Sequence, residues 1–94
     1  MKFRKKSEIF DAEQYKPGME DGFNYYRITG EFLYYLPKDA KTTPRVGRRP
    51  VLETPHGKQI ITTHPPDYIV TNTQGERYSV KEDLFWMTYE KVED

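Results

Sequence analysis

The two histidines and a nearby aspartate are the first candidates for metal binding or acid–base chemistry. His56 and His64 are the only histidines in the 94 residues, and Asp67 follows shortly after the second. The histidines lack the i, i+4 spacing that places two ligands on one face of a helix, and the pattern marks no third ligand. We therefore predict no metal, no cofactor and no catalytic residue, and a chain that is not an enzyme.

A basic segment that follows a pair of tyrosines is the part of the sequence we predict to bind a partner. Residues 38–50 hold two prolines and one glycine but almost no apolar residues, which predicts a long exposed loop. Its cations can contact phosphates while tyrosines stack on unpaired bases, or can dock on an acidic protein surface. A merely solvated loop is the third interpretation. The candidate binding residues are Lys38, Lys41, Arg45, Arg48, Arg49, Tyr34 and Tyr35.

Charge and composition exclude several classes of protein. Fifteen basic and fifteen acidic residues cancel, which argues against a sequence-independent nucleic-acid binder with a strongly basic face. The absence of cysteine removes disulfides and thiol chemistry. No apolar run approaches the length of a membrane span, and no signal-peptide pattern is present. We expect a cytoplasmic protein with no membrane partner.

The N-terminal half of the chain predicts strands separated by one ordered loop. Residues 1–15 predict a single strand, and residues 15–23 predict a loop with Pro-Gly and Asp-Gly turns. Aromatic and β-branched residues over 23–36 favour two strands joined by a turn at 29–31. A helix over residues 19–28 is the alternative.

The C-terminal half predicts two hairpins. Residues 51–63 alternate around a Pro-His-Gly turn, which predicts one hairpin. Residues 67–71 and 76–80 predict antiparallel strands joined by a turn over 72–75. The side chains expected to share one core face are Tyr68, Val70, Tyr78 and Val80.

A short helix is predicted before the last strand. Ser79 and Glu82 match a capping box, so the helix should cover residues 81–87. Residues 88–92 should then form the final strand. The helix carries three consecutive large apolar residues, and at least two of them should seal one end of the sheet. These residues are Leu84, Phe85 and Trp86.

Residues 64–92 resemble the C-terminal half of a family of small phage and prophage proteins known for a Pro-Gly-Asp-Tyr-Gly motif. Asp67 and Tyr68 match the motif, whereas Pro66 stands at its first glycine and Ile69 at its last. The opening Met-Lys-Phe-Arg-Lys-Lys is also similar to the family's start. The resemblance implies a phage origin and a strand that begins at the motif, and it implies no activity. The residues that match the family, for which we expect structural roles, are Asp67, Tyr68, Gly75, Glu76, Tyr78, Asp83, Phe85, Thr88 and Tyr89.

Together these observations predict a small, mainly β domain covering residues 1–94, with an antiparallel, partly barrel-like sheet and one short helical turn before the last strand. The leading functional hypothesis is a phage accessory protein that binds a host protein or assembly and acts against a host defence system. A small nucleic-acid-binding β module, aided by the basic N-terminus, is the second hypothesis. Capture of a small molecule in the mouth of a barrel is the third.

Overall fold

The computed structural model describes residues 1–5, 8–37 and 47–92, and these residues form nine strands and one short helix. No helix within them is long and apolar enough to cross a membrane. The elements, in chain order, are β1 (Lys2–Lys5), β2 (Glu8–Gln14), β3 (Gly22–Thr29), β4 (Phe32–Tyr35), β5 (Gly47–Thr54), β6 (Gly57–Ile60), β7 (Tyr68–Thr71), β8 (Arg77–Val80), α1 (Glu82–Thr88) and β9 (Glu90–Lys91).

The strands form two antiparallel sheets, one of which is curled into a half-barrel. The five-stranded sheet has the order β8-β7-β2-β1-β9, and the four-stranded sheet has the order β4-β3-β5-β6. The predicted fold class, mainly β with antiparallel, partly barrel-like strands and one short helix before the last strand, is confirmed.

β1 and β2 form a hairpin, so the prediction of one strand over residues 1–15 is wrong. Phe3 pairs with Phe10, and Lys5 pairs with Glu8. The reversal brings both phenylalanines onto the same face of the sheet, where they join one core. The connecting residues carry no glycine, proline or asparagine, which are the usual sequence marks of a turn. That is why the reversal was missed.

The first core lies between α1 and one face of the five-stranded sheet. Phe85 of α1 is completely buried, and its ring stacks on Tyr68 with the centroids 4.1 Å apart. Phe3 meets the same ring edge-on at 4.7 Å. Val70 and Ala12 complete the buried cluster. The expected shared face holds for Tyr68, Val70 and Val80, which all pack in this core.

The start of α1 differs from the prediction. Lys81 is the N-cap residue, and no side chain caps the helix. Ser79 lies within β8 and is buried there, so the predicted capping box is wrong. The Ser79 hydroxyl donates a hydrogen bond to the Asp67 carboxylate instead. The Ser79 hydroxyl, which the local pattern assigned to the cap of α1, therefore bonds to a residue distant in the chain.

Only one of the three large apolar residues of α1 is buried. Phe85 faces the sheet, whereas Leu84 and Trp86 are each about half exposed. The prediction was that at least two of them seal one end of the sheet, and only Phe85 does so completely. One turn of helix can direct only one of three consecutive side chains straight at the sheet. Trp86 lies at the rim, with edge contacts to Phe3 and Tyr68.

A second core joins the two sheets. Leu52 of β5 packs with Ile69 of β7, together with Tyr15 and Ile61 from the connecting segments. Because side chains alternate along a strand, Ile69 lies on the face opposite Val70. β7 therefore contributes to both cores.

The β3–β4 hairpin confirms the predicted strands over residues 23–36 and excludes the alternative helix. Thr29 pairs with Phe32 across a two-residue turn. Gly30 in this turn has a φ of 61°, a conformation that glycine adopts without steric cost. The hairpin predicted over residues 51–63 is also present, as β5 and β6.

Candidate functional site

The basic residues predicted to bind a partner do not form one loop in the described structure. Lys38, Lys41 and Arg45 lie outside the described residues. Arg48 and Arg49 lie in β5, where they pair with Tyr25 and Asn24 of β3. The prediction of an exposed loop is therefore wrong for residues 47–50.

Pro50 explains why this strand was mistaken for a loop. A proline inside a run usually argues against a strand, because proline donates no backbone hydrogen bond. Here the Pro50 carbonyl accepts a hydrogen bond from the Ile61 N–H, just beyond the end of β6. The backbone N and C=O of Pro50 therefore point toward the β6 side and not toward β3. The missing N–H removes no bond to β3. Pro50 is itself buried.

Arg48 and Arg49 lie on opposite faces of β5, each over an aromatic ring of β3. The Arg48 guanidinium lies 4.0 Å from the centre of the Phe23 ring. The Arg49 guanidinium lies 5.5 Å from the Tyr26 ring and donates a hydrogen bond of 3.4 Å to the Tyr35 hydroxyl. Stacking on a ring holds a guanidinium plane in place while leaving the charge at the surface.

Tyr26 is positioned by a glycine on the neighbouring strand. Gly47 is its direct partner in β5, and a Cβ atom at position 47 would lie 2.6 Å from the Tyr26 hydroxyl oxygen. The ring therefore lies over backbone that only glycine leaves open. This contact fixes the ring on which Arg49 stacks.

The β3–β4 hairpin exposes five large apolar or aromatic side chains, which we call the hairpin surface. Phe32 is 65% exposed, and the other four lie between 37% and 53%. Both faces of the hairpin contribute, because the register places Ile28 opposite Leu33 and Thr29 opposite Phe32. The members of the hairpin surface are Ile28, Phe32, Leu33, Tyr34 and Tyr35.

Sequence reasoning found two of these five residues. Tyr34 and Tyr35 were named as binding candidates, whereas Ile28, Phe32 and Leu33 were assigned no role beyond the strand. One signal was available: residues 32–36 are apolar or aromatic at every position. Such a run needs a covering layer on both faces. In the described structure the hairpin exposes both.

Asp67 links three segments of the chain. Its carboxylate accepts hydrogen bonds from the Thr62 N–H at 2.8 Å and from the Ser79 hydroxyl at 2.6 Å. Its own carbonyl accepts a bond from the Tyr15 N–H. Asp67 is 4% exposed. These contacts are structural, as expected for Asp67, and the backbone N–H donor comes from the segment that precedes it.

Several other residues of the segment that resembles the phage family also make local structural contacts. Gly75 has a φ of 82° in the β7–β8 turn, and Glu76 accepts a bond from the Asn72 amide. Asp83 accepts a bond from the Leu84 N–H within α1. Tyr89 stacks on Phe85. The other matching residues are Tyr78, half-buried in β8, and Thr88, exposed at the end of α1.

The histidines do not converge. His56 is exposed in the β5–β6 turn, and His64 is exposed with its Nδ1 2.9 Å from the Thr63 hydroxyl. Among the residues that the structure describes, no group of three histidine or carboxylate side chains is arranged to hold a metal ion.

The pKa shifts lie away from the hairpin surface. Burial, with a hydrogen bond to Glu20, raises the pKa of Tyr15 to about 12. The same 2.6 Å hydrogen bond lowers the pKa of Glu20, and the Gly18 N–H adds to this effect. Burial also raises the pKa of Tyr89. These groups hold the fold together, and none of them lines the hairpin.

No protein-family model, curated protein or solved structure matches this chain. Its function must therefore be argued from the surface that the fold exposes.

Proposed function

We propose that this chain is a non-enzymatic binding protein that attaches to a host protein or assembly through the hairpin surface. The observation that carries the proposal is the exposure of five neighbouring apolar and aromatic side chains on one hairpin. Contiguous exposed apolar patches on small proteins usually mark interaction sites.

The residue types in and beside the hairpin surface support a protein partner. Tyrosine and arginine are the residues that most often dominate binding energy at protein interfaces. Here Tyr35 accepts a hydrogen bond from Arg49, and Arg27 lies directly opposite Tyr34. The rings lose little conformational entropy on binding, because each has only two side-chain torsions.

The resemblance of residues 64–92 to phage proteins supports a bacterial host as the source of the partner. Those residues form β7, β8, α1 and β9 and supply much of the first core. The hairpin lies outside the resembling segment. A shared scaffold with a chain-specific hairpin suits a phage accessory protein directed against a host defence or regulatory system.

A pull-down from bacterial lysate tests the proposal. The tagged chain, treated with nuclease, should retain a host protein in a fixed ratio, and the double variant Phe32→Ser with Tyr34→Ser should lose it. Ile9→Ser is the matched control, because Ile9 is 42% exposed on β2 of the other sheet. Equal retention by the double variant would refute the role of the hairpin surface.

Nucleic-acid binding is the second candidate, favoured by the two arginines that lie on aromatic rings. Single-stranded nucleic acid is bound by such combinations of cations and stacking platforms. Affinity for an oligonucleotide would then fall steeply with salt, with a log–log slope of about −0.7 per phosphate neutralised. Binding that ignores salt, or no binding, would eliminate this candidate.

A further inference from the structure

β4 lies at an edge of the four-stranded sheet, and its backbone orientation can be assigned. In antiparallel pairs, residues that exchange hydrogen bonds alternate with residues whose backbone groups point away. The Leu36 N–H donates to the Tyr25 carbonyl at 2.8 Å, so Leu36 faces β3. Because the orientation alternates along the strand, the backbone N–H and C=O groups of Tyr34 and Phe32 also point toward β3. The N–H and C=O groups of Leu33 and Tyr35 therefore point outward.

Both edges of the five-stranded sheet have features that discourage added strands. β9 has only two residues, Glu90 and Lys91, and both are charged. The edge of β8 is covered at Ser79, whose N–H and C=O both bond to the side-chain amide of Gln59 in β6. Short, charged or covered edges are the usual protection against strand addition.

Among the residues that the structure describes, β4 has none of these features. Its four residues are Phe32, Leu33, Tyr34 and Tyr35, and all four are exposed. None is charged, and none is proline. An exposed apolar edge strand is a template for another extended chain.

The charges beside β4 indicate the chemistry of that chain. Arg27 lies opposite Tyr34, and Arg49 bonds to Tyr35. The one carboxylate in the hairpin is Glu31 at its turn. A second copy of this chain would bring the same arginines toward one another across a shared edge. An acidic segment would meet opposite charge instead.

We infer that β4 binds an extended, acidic segment of a partner protein by strand addition, using the outward N–H and C=O groups of Leu33 and Tyr35. This inference rests on the proposed function and specifies its mode: main-chain hydrogen bonds supply affinity, and alternate side chains pack on the hairpin surface. Acidic side chains of the segment pair with the neighbouring arginines.

Hydrogen exchange measured by NMR tests the backbone assignment. The probe is a short capped peptide in which valine and glutamate alternate, compared with one in which valine and lysine alternate. The glutamate peptide at saturation should slow amide exchange of Leu33 and Tyr35 about tenfold, equivalent to about 1.4 kcal/mol. Phe32 and Tyr34 should change little, because their N–H groups already bond to β3.

A matched pair of variants separates backbone from side chain. Leu33→Ala and Leu33→Pro both remove the leucine side chain, but only proline also removes the outward N–H. The peptide should bind the proline variant about tenfold more weakly than the alanine variant. Unchanged chemical shifts at Phe3 and Val70 should show that both variants keep the core.

The inference would be overturned by equal binding to both variants, by preference for the lysine peptide, or by no slowing at Leu33 and Tyr35. Slowing that depends on the concentration of the chain without peptide would also overturn it, in favour of a second copy. The proposed function fails separately, when the hairpin double variant still retains the host protein in the pull-down.

Discussion

The contact region of α1 with the five-stranded sheet and the β3–β4 hairpin use the same kinds of residue in opposite ways. Phe85 of α1 is 0% exposed and touches Phe3 and Tyr68, whereas Phe32 of β4 is 65% exposed. The difference is the presence of a second layer. α1 covers one face of the five-stranded sheet, while both faces of the hairpin remain exposed.

This comparison assigns different tasks to the two regions. A buried aromatic ring contributes to folding by removing apolar area from water, and rings packed edge-on or offset add to that gain. An exposed ring contributes almost nothing to folding, yet it can bury the same area when a partner arrives. The α1 region should therefore determine stability, and the hairpin should determine binding.

Removing the central ring of the α1 region has the largest expected effect. Phe85→Ala should lower the free energy of unfolding by about 3–5 kcal/mol, because it leaves a cavity in the first core beside the buried Phe3. Phe32→Ala is its matched control and should change that free energy by less than about 0.5 kcal/mol. Urea denaturation followed by circular dichroism measures both. Similar losses for the two variants would erase the contrast between the regions.

The buried carboxylate of Asp67 should have the next largest effect. Asp67→Ala leaves the Thr62 N–H and the Ser79 hydroxyl without their acceptor, so the free energy of unfolding should fall by about 2–3 kcal/mol. Ser79→Ala removes one donor only and should cost about 1 kcal/mol. If the Asp67→Ala protein is stable but no longer captures the partner, the role of Asp67 is functional and not structural.

The side chain that joins the edges of the two sheets should have a smaller effect. Gln59→Ala removes both bonds to the backbone of Ser79 and should cost about 1 kcal/mol. Lys58→Ala on the same strand is the control and should be neutral, because Lys58 is exposed. Faster amide exchange at Ser79 in Gln59→Ala, but not in Lys58→Ala, would confirm that Gln59 covers the edge of β8. Unchanged exchange there would contradict it.

The effect of the Tyr15–Glu20 pair is seen as a pH dependence. Because the folded pKa of Tyr15 is raised to about 12 from 10.0, its stabilisation is present below pH 10 and lost as pH rises toward 12. The lowered pKa of Glu20 adds stability above its ordinary value of 4.5 that is lost as pH falls below it. Tyr15→Phe should weaken both dependences.

Urea midpoints measured across pH for the parent chain and for Tyr15→Phe test this prediction. Tyr89 also has a raised pKa, so part of the alkaline loss should remain in the variant. At acid pH the difference between the two proteins reports the Tyr15–Glu20 bond, and at alkaline pH it also includes the burial of the Tyr15 phenol. Identical profiles would show that this bond does not contribute to stability.

The sequence predicted elements wherever the local signal and the tertiary structure agreed. The turns at Gly30, Gly57 and Gly75 were expected from their residue types, and each of these glycines has a positive φ. The alternation of Tyr68 and Val70 correctly placed them in one core. In these places turn chemistry and strand period indicated the same structure.

Three of the misses depend on residues that are distant in the chain. Ser79 bonds to Asp67 instead of capping α1, and Pro50 is accommodated because β6 ends beside it. Neither partner is visible in a local pattern. The exposure of Phe32 was missed for the same reason, because burial depends on whether a second layer covers the strand.

Shortening the hairpin tests the division of tasks most directly. Arg27 and Tyr34 are a hydrogen-bonded pair by the alternation from Leu36, so replacing residues 28–33 by Asn-Gly closes a two-residue turn in register. The change removes three members of the hairpin surface: Ile28, Phe32 and Leu33. The variant should keep the parent free energy of unfolding within about 1 kcal/mol and lose capture of the host protein. An unfolded variant, or a stable one that still captures the partner, would contradict the account.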